Sequence, residues 1–467
     1  MDLEQVPHYG HKFDNGDSLW EKANSLHLAN EFDEAEKIYV QLLEQNPQNG
    51  GLMATLGSLY CQTGKIGLAI HLLECAVERG VSNADVLTNL GVAYKQAGLR
   101  DKSIETLEAS IKDDPTPEAL TNYSGMFVES GESEKCIELC ERAIAMNPDM
   151  PIAHWNLAIA LLSEGKWDRA WDEHEWGLKS HGVREDRKVI DLPTWDGKAS
   201  GTVLVYGEQG LGDEIMFASM LPEVLKTNEV VFETHGRLET LMKKAFPSIP
   251  VYGTRTLFEV DWAANHKLDY RIAIGSLGKF YRRSADSFPG TTYMKADPIP
   301  RGDKFRIGIS WVGGGAKQGR VVKRSVPLAW WKSILDIEDV EFVSLQYNDC
   351  DREIEEAWKA GHDIKVMDEY AKALDYYEAA RLIASCDLVI SVCNSCIHLA
   401  GALGVPCWVM TPCYPAWRYQ NKGKMPWYKS VRLYRQPTPD VQAWIPVVDR
   451  IALDLNQYLE RKVLKVA

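Results

Sequence analysis

Small and large apolar residues recur along the first 182 positions with a period close to 34. Small residues stand at Ala23, Gly57, Gly91, Ser124 and Ala158, spaced 34, 34, 33 and 34 apart. Three positions later come Leu26, Tyr60, Tyr94, Phe127 and Leu161, and four beyond those Asn30, Gly64, Gly98, Gly131 and Gly165. A second small position recurs at Ala35, Ala69, Ser103, Cys136 and Ala170, and Pro47, Pro115 and Pro148 close three of the copies. The pattern predicts paired helices. A small residue on the first helix lets the second approach closely, and a large one a turn later fills the groove between them. The glycine ends the first helix where positive φ is needed. The proline marks the boundary to the next copy.

These copies, over about residues 16–182, resemble the tetratricopeptide repeat (TPR) consensus as five repeats. The first departs from it at Lys22 and Asn30, and the last has His181 where a closing proline would stand, as a capping repeat would. The resemblance implies an all-α superhelical solenoid whose concave face binds a peptide, a partner protein or the acceptor of a fused enzyme, or that only scaffolds.

Residues 183–200 read as a connector, after which the period changes. Short apolar runs of buried-strand type appear at 202–206, 230–233, 305–311, 341–345, 387–392 and 407–410, separated by helical stretches. The segment 299–303 reads as a hinge, and the tail from Asp440 to Leu464 as an amphipathic helix. This predicts two α/β units, 201–300 and 301–436, followed by a terminal helix or tail over 437–467.

The charge, −14 over 467 residues, makes nucleic acid a poor partner. There is no bilayer-length apolar run and no basic, apolar leader at the start, so a soluble, cytoplasmic chain without a transmembrane segment is expected. The ten cysteines form no paired zinc framework. Cys136 and Cys140 read as core residues and Cys393-x-x-Cys396 as part of a strand-to-helix junction rather than a redox pair. Asp349-Cys350-Asp351 imitates a metal-binding DxD but lies in the second α/β unit; no metal and no cofactor are expected.

Four segments could carry chemistry. Gly207-Glu208-Gln209-Gly210-Leu211-Gly212-Asp213 follows the first strand, in an order that fits neither a dinucleotide fingerprint nor a P-loop. Asp213, at the helix start, is either an N-cap carboxylate or a base facing a cleft at the strand ends. The loop 312–325 holds Lys317, Arg320, Lys323 and Arg324 and no acid, suited to a diphosphate or to solvent. A strand runs through Ser391 into Cys393-Asn394-Ser395-Cys396 and a helix carrying His398, whose first N–H groups suit a phosphate. Tyr414 to Tyr419 and Pro426 to Gln436 mix aromatics with arginines that could stack on a base or sugar, or simply pack.

Together, residues 201–436 resemble the family 9 glycosyltransferases, the heptosyltransferase-like group, in its TPR-carrying branch. The Gly-x-Gly-Asp segment looks like that family's acceptor-side motif. Gly308 to Trp311 with Lys317, Arg324, Ser325 and Pro327-Leu328 looks like its diphosphate loop. Ser391 to Pro406 looks like its Asp-Thr-x-x-x-His-Leu-Ala-Gly-Ala-Leu-Gly-x-Pro signature, with Cys393-Asn394 in place of Asp-Thr. The resemblance implies a GT-B fold, two Rossmann-like domains facing a cleft. It implies a metal-independent inverting transfer from a nucleotide-sugar to a hydroxyl acceptor, glycan or protein. Asp213 would be the base, with Gly210 and Gly212 in the acceptor-side loop. Lys317, Arg324, Gln346, Cys393, Asn394, Ser395, Cys396 and His398 would line the donor side. Two other readings stand beside it: a protein O-glycosyltransferase resembling the O-GlcNAc enzymes, and a non-catalytic TPR adaptor whose transferase domain has degenerated.

Overall fold

The computed structural model describes residues 17–128, 130–180, 182–187, 191–313 and 324–466. The chain forms two units, Met1–Leu157 and Ala158–Ala467.

The first unit is built from helices. These are α1 (Asp17–Leu28), α2 (Phe32–Gln45), α3 (Gly50–Gln62), α4 (Ile66–Glu78), α5 (Ala84–Gln96), α6 (Arg100–Ser110), α7 (Pro117–Ser124), α8 (Ser133–Met146) and the beginning of α9 (Pro151–Ser163). The small-residue positions are contact points. A Cβ on Gly57 would lie 2.7 Å from Leu73, and one on Gly91 2.6 Å from Leu107, so α3–α4 and α5–α6 close to a distance only glycine allows. The hydroxyl of Ser103 donates to the Gly91 carbonyl at 2.7 Å across the same approach.

Each turn after a first helix uses a left-handed residue: Asn30 (φ 61°), Gly64 (74°), Gly98 (78°), Gly131 (79°) and Gly165 (70°). Asparagine tolerates this conformation, which is why the first copy manages without glycine. The next residue's N–H then reaches back to the large residue of the repeat. Glu31 donates to Leu26, Lys65 to Tyr60, Leu99 to Tyr94 and Lys166 to Leu161, each at 2.9 Å. A third recurring position is visible only in the structure. Asn49, Asn83 and Thr116 accept from the backbone N–H three residues on and cap the starts of α3, α5 and α7.

The second unit begins with the rest of α9, then α10 (Trp167–His174), and continues into two parallel sheets. The first contains β1 (Thr202–Tyr206), β2 (Glu229–Glu233), β3 (Val251–Tyr252) and β4 (Tyr270–Ala273) in the order β3-β2-β1-β4. The second contains β5 (Phe305–Ser310), β6 (Val340–Ser344), β7 (Ile364–Lys365), β8 (Leu388–Val392), β9 (Cys407–Thr411) and β10 (Val431–Arg435), in the order β7-β6-β5-β8-β9-β10. Both orders reverse direction beside their first strand, the doubly wound arrangement in which ligands bind outside the carboxyl ends of the strands at the reversal.

β8 and β9 are buried at every residue, as strands covered on both faces must be. Beneath the second sheet, Ile307, Phe342 and Trp408 share a core with Trp331, Trp444, Val448 and Ile451. The last two lie on the terminal helix Ile445–Val466. Among the described residues, no helix is long and apolar enough to cross a membrane.

Candidate functional site

The reversal in the first sheet lies between β1 and β4, and the chain leaving β1 is pinned there by buried charge. Glu208, fully buried, receives both Nε and a terminal nitrogen of Arg184, at 2.9 and 2.6 Å, and the Gly275 N–H at 3.0 Å. The remaining donors of Arg184 reach Glu175, Ser276 and the carbonyl of His174. On the other side, Arg255 pairs with buried Glu214 and donates to the Gln209 carbonyl at 2.7 Å. Gln209 itself has φ 61°. The turn is therefore a fixed object from which α11 (Leu211–Ala218) starts. Gly210 is the N-cap residue. Asp213 is not the N-cap, the simpler of the two roles open to it, but the third residue of the helix, and its Oδ2 accepts the Gly210 N–H at 3.3 Å.

The reversal in the second sheet lies between β5 and β8. Gln346 and Asn394, both buried, tie its strand ends together. The Gln346 Oε1 accepts from the Ser310 hydroxyl and from the backbone N–H groups of Trp311 and Val312 at 3.0–3.1 Å. The Asn394 amide donates to Ser310 Oγ at 2.7 Å, while its Oδ1 accepts the Cys396 N–H at 3.0 Å and caps α12 (Ser395–Leu403). A carboxamide serves this junction because it can donate to one strand end and accept from a helix start together, which a carboxylate cannot.

The starts of α11 and α12 meet. A Cβ on Gly212 would lie 3.0 Å from His398 Cδ2 and 3.5 Å from Ser395 Cα. Beside this contact, Asp213 Oδ1 accepts a hydrogen bond from Arg418, an ion pair joining the first half of the unit to the second. His398 is buried beneath, with its ring nitrogens facing the hydroxyls of Tyr428 and Tyr419 at 3.3 and 3.5 Å. Burial, followed by the Arg418 charge, pushes its pKa down to about 3, so it is neutral here. Ser395 Oγ lies 2.9 Å from the Tyr376 hydroxyl and edges a recess lined by Leu345, Tyr347, Ala371 and Leu399. Arg237, from the first half, lies over the Tyr376 ring and donates to the carbonyls of Ala373 and Leu374.

The structure thus brings together Gly210, Gly212, Asp213, Ser395 and His398, with Asn394 and Gln346 one layer behind. Cys393 and Cys396 are buried thiols directed at the Met410 and Leu345 carbonyls, and burial pushes both up to about 12, which makes them poor thiolates. The charges of Arg324, Arg418 and Arg435 oppose that push at Cys393. Arg324 lies against Gly313, which in turn abuts the Cys393 carbonyl. Lys317 lies outside the described residues.

The two tryptophans of the aromatic segment that could have stacked on a ligand are packed instead, while Tyr414 is exposed. Trp417 and Trp427 are buried among Trp171, Phe217 and Phe288, with ring centroids 4.9–6.3 Å apart. Sequence reasoning singled out neither Arg184 and Glu208 nor the pairing of Asp213 with Arg418. A charged residue one glycine beyond an apolar strand, as at Glu208, was the available signal for the first.

Residues 84–116 and 126–173 each match a tetratricopeptide repeat family. The helical array is a TPR solenoid. Protein FlbA of Caulobacter vibrioides is 26% identical over 500 aligned positions, which span 92% of this chain and 82% of that protein. The Vi polysaccharide export protein VexE of Salmonella typhi is 27% identical over 37% of this chain and 25% of its own length. Lipopolysaccharide assembly protein B of Escherichia coli (strain K12) is 23% identical over 46% of this chain and 54% of its own length. The chain therefore spans about a quarter and about half of these last two relatives. Among solved structures, MamA is similar at 24% identity and a TM-score of 0.31, covering 36% of this chain and 95% of that one.

Proposed function

We propose that the chain is a glycosyltransferase on the GT-B plan, heptosyltransferase-like, that moves a sugar from a nucleotide-sugar to a hydroxyl acceptor. One observation carries this reading: two doubly wound sheets present their reversal points to each other, and Asp213 of one meets Arg418 and the α12 start of the other. In the reaction, Asp213 takes the proton of the acceptor hydroxyl while that oxygen attacks the anomeric carbon. The bond from that carbon to the phosphate oxygen breaks, and the diphosphate departs with the electron pair. Lys317, Arg324 and the first N–H groups of α12 stabilise the departing charge. His398, neutral, packs beneath and offers no competing cation.

The TPR array holds the acceptor or a protein partner. Relatives named for polysaccharide export and lipopolysaccharide assembly favour a glycan acceptor. A peptide held on the concave face would instead mark a protein O-glycosyltransferase. Asp213→Ala is expected to retain nucleotide-sugar binding and to lose transfer by roughly a hundredfold or more, the usual scale for a general base. Turnover near that of the unmodified chain in a radiolabelled-sugar assay would sink the mechanism.

A second reading, a non-catalytic adaptor, draws support from Asn394, whose side chain is consumed by bonds within the fold. It requires that no nucleotide-sugar bind.

A further inference from the structure

The ion pair between Asp213 and Arg418 raises a chemical difficulty for a base. The Asp213 Oδ1 accepts from Arg418 and its Oδ2 from the Gly210 N–H, so both carboxylate oxygens are engaged before an acceptor hydroxyl arrives. The arginines of the unit differ in how far their nitrogens are engaged. Arg184 spends its nitrogens on two carboxylates, a hydroxyl and a carbonyl, and Arg435 donates to three backbone carbonyls. Arg418, like Arg255 and Arg282, keeps its Nε out of water with no hydrogen-bond partner among the described residues, and of the three it is the one paired with Asp213. Cationic charge is concentrated around it, since Arg324 and Arg418 both act on Tyr419 and on Cys393, where Arg435 adds a third. Asp213 is the carboxylate set against Arg418.

We propose that Arg418 is an interlock that holds Asp213 until a nucleotide-sugar arrives and then exchanges the carboxylate for the donor's diphosphate oxygens. This rests on the transferase reading above and deepens it. The base is released only when the leaving group is in place. Both partners are oxyanions, and a guanidinium binds either through its planar fork. The exchange keeps a mostly buried cation paired throughout, avoiding the penalty of leaving it alone. Arg418 lies 5.5 Å from the Trp417 ring, itself fixed in the aromatic cluster, so the change is a swing of one side chain. Arg418 is a positioning residue for Asp213 in one state and a ligand of the diphosphate in the other.

The test is calorimetric titration of the full chain with ADP, GDP, UDP and CDP. The chains compared are the unmodified one, Asp213→Asn, Asp213→Ser, Arg418→Met and the Asp213→Asn/Arg418→Met double variant. If the guanidinium is shared, Asp213→Asn frees it, and the diphosphate that binds the unmodified chain binds about tenfold tighter. Asp213→Ser shows the same gain by a second route. Arg418→Met weakens binding, and the double variant loses the gain. Unchanged affinity in both Asp213 variants, with the unmodified chain binding normally, overturns the interlock and leaves the transferase reading standing. Absence of binding in every chain overturns both.

Discussion

Arg184 and Glu208 have no exposed side-chain surface, and the guanidinium meets its carboxylate through two nitrogens. Removing one partner of such a pair leaves a charge in a medium that cannot solvate it. Arg184→Leu is therefore expected to cost about 3–5 kcal/mol in denaturant unfolding, against nearly nothing for exposed pairs such as Lys37 with Glu34. Gly401 is equally constrained by shape: a Cβ there would lie 2.4–2.7 Å from the Tyr428 ring. Gly401→Ala is expected to lower stability by about 1–3 kcal/mol, readable in the same unfolding curves. These sites differ in how they could be found from sequence. Asp213 and His398 lie in local motifs and are visible as such. The partner of Arg184 is 24 residues away and that of Asp213 is 205, so neither pairing leaves a trace in local spacing. Cys393-Asn394, a departure from a signature on paper, is in three dimensions a buried thiol beside a working cap.

Among the elements, the strands legible in sequence are the apolar runs that became β1, β2, β5, β6, β8 and β9. β3 and β7 have two residues each, too few for a period. β4 carries Arg271 and β10 carries Arg432 and Arg435, so their pattern does not read as a buried strand. Arg271 is accommodated by Asp186 and the Leu192 carbonyl, and Arg432 by Asp454 at the sheet edge, where charge also deters strand addition. α12 ends at Gly404 with φ 74°, and a Cβ there would strike Thr292. Gly404→Ala thus combines left-handed strain with a clash and is expected to cost about 1–2 kcal/mol or more in a thermal melt. In the solenoid, Asn49→Ala and Asn83→Ala each remove one cap and are expected to cost about 1 kcal/mol. Their caps belong to different repeats, so the two losses should add in the double variant.

Among the described residues, three buried histidines and one half-buried one, His235, set a direction for the response to acid. His27 in the first unit, and His174, His235 and His398 in the second, are all held below the usual value of 6.5, chiefly by burial. Their unfolded forms bind protons that the folded forms refuse. Stability is therefore complete above about pH 6.5 and falls as pH drops below it, with a limiting slope of about 1.4 kcal/mol per pH unit for each histidine. For His398 the loss continues to about pH 3. His398→Gln is expected to flatten the stability–pH curve between those limits, checked by urea unfolding at stepped pH. The solenoid was legible because its copies repeat one solution, apart from the caps at Asn49, Asn83 and Thr116. The α/β unit was legible as strands and motifs, but its convergence on Asp213 and Arg418 depends on folding two sheets toward each other. The central claim is that this convergence receives a nucleotide-sugar. The most direct measurement is the thermal transition of the full chain across a panel of nucleotide-sugars. A ligand bound only by the folded state raises that transition by an amount that grows with its concentration. Such a rise is expected for at least one donor, diminished in Arg324→Ala. A transition unmoved by every nucleotide-sugar at millimolar concentration would contradict it.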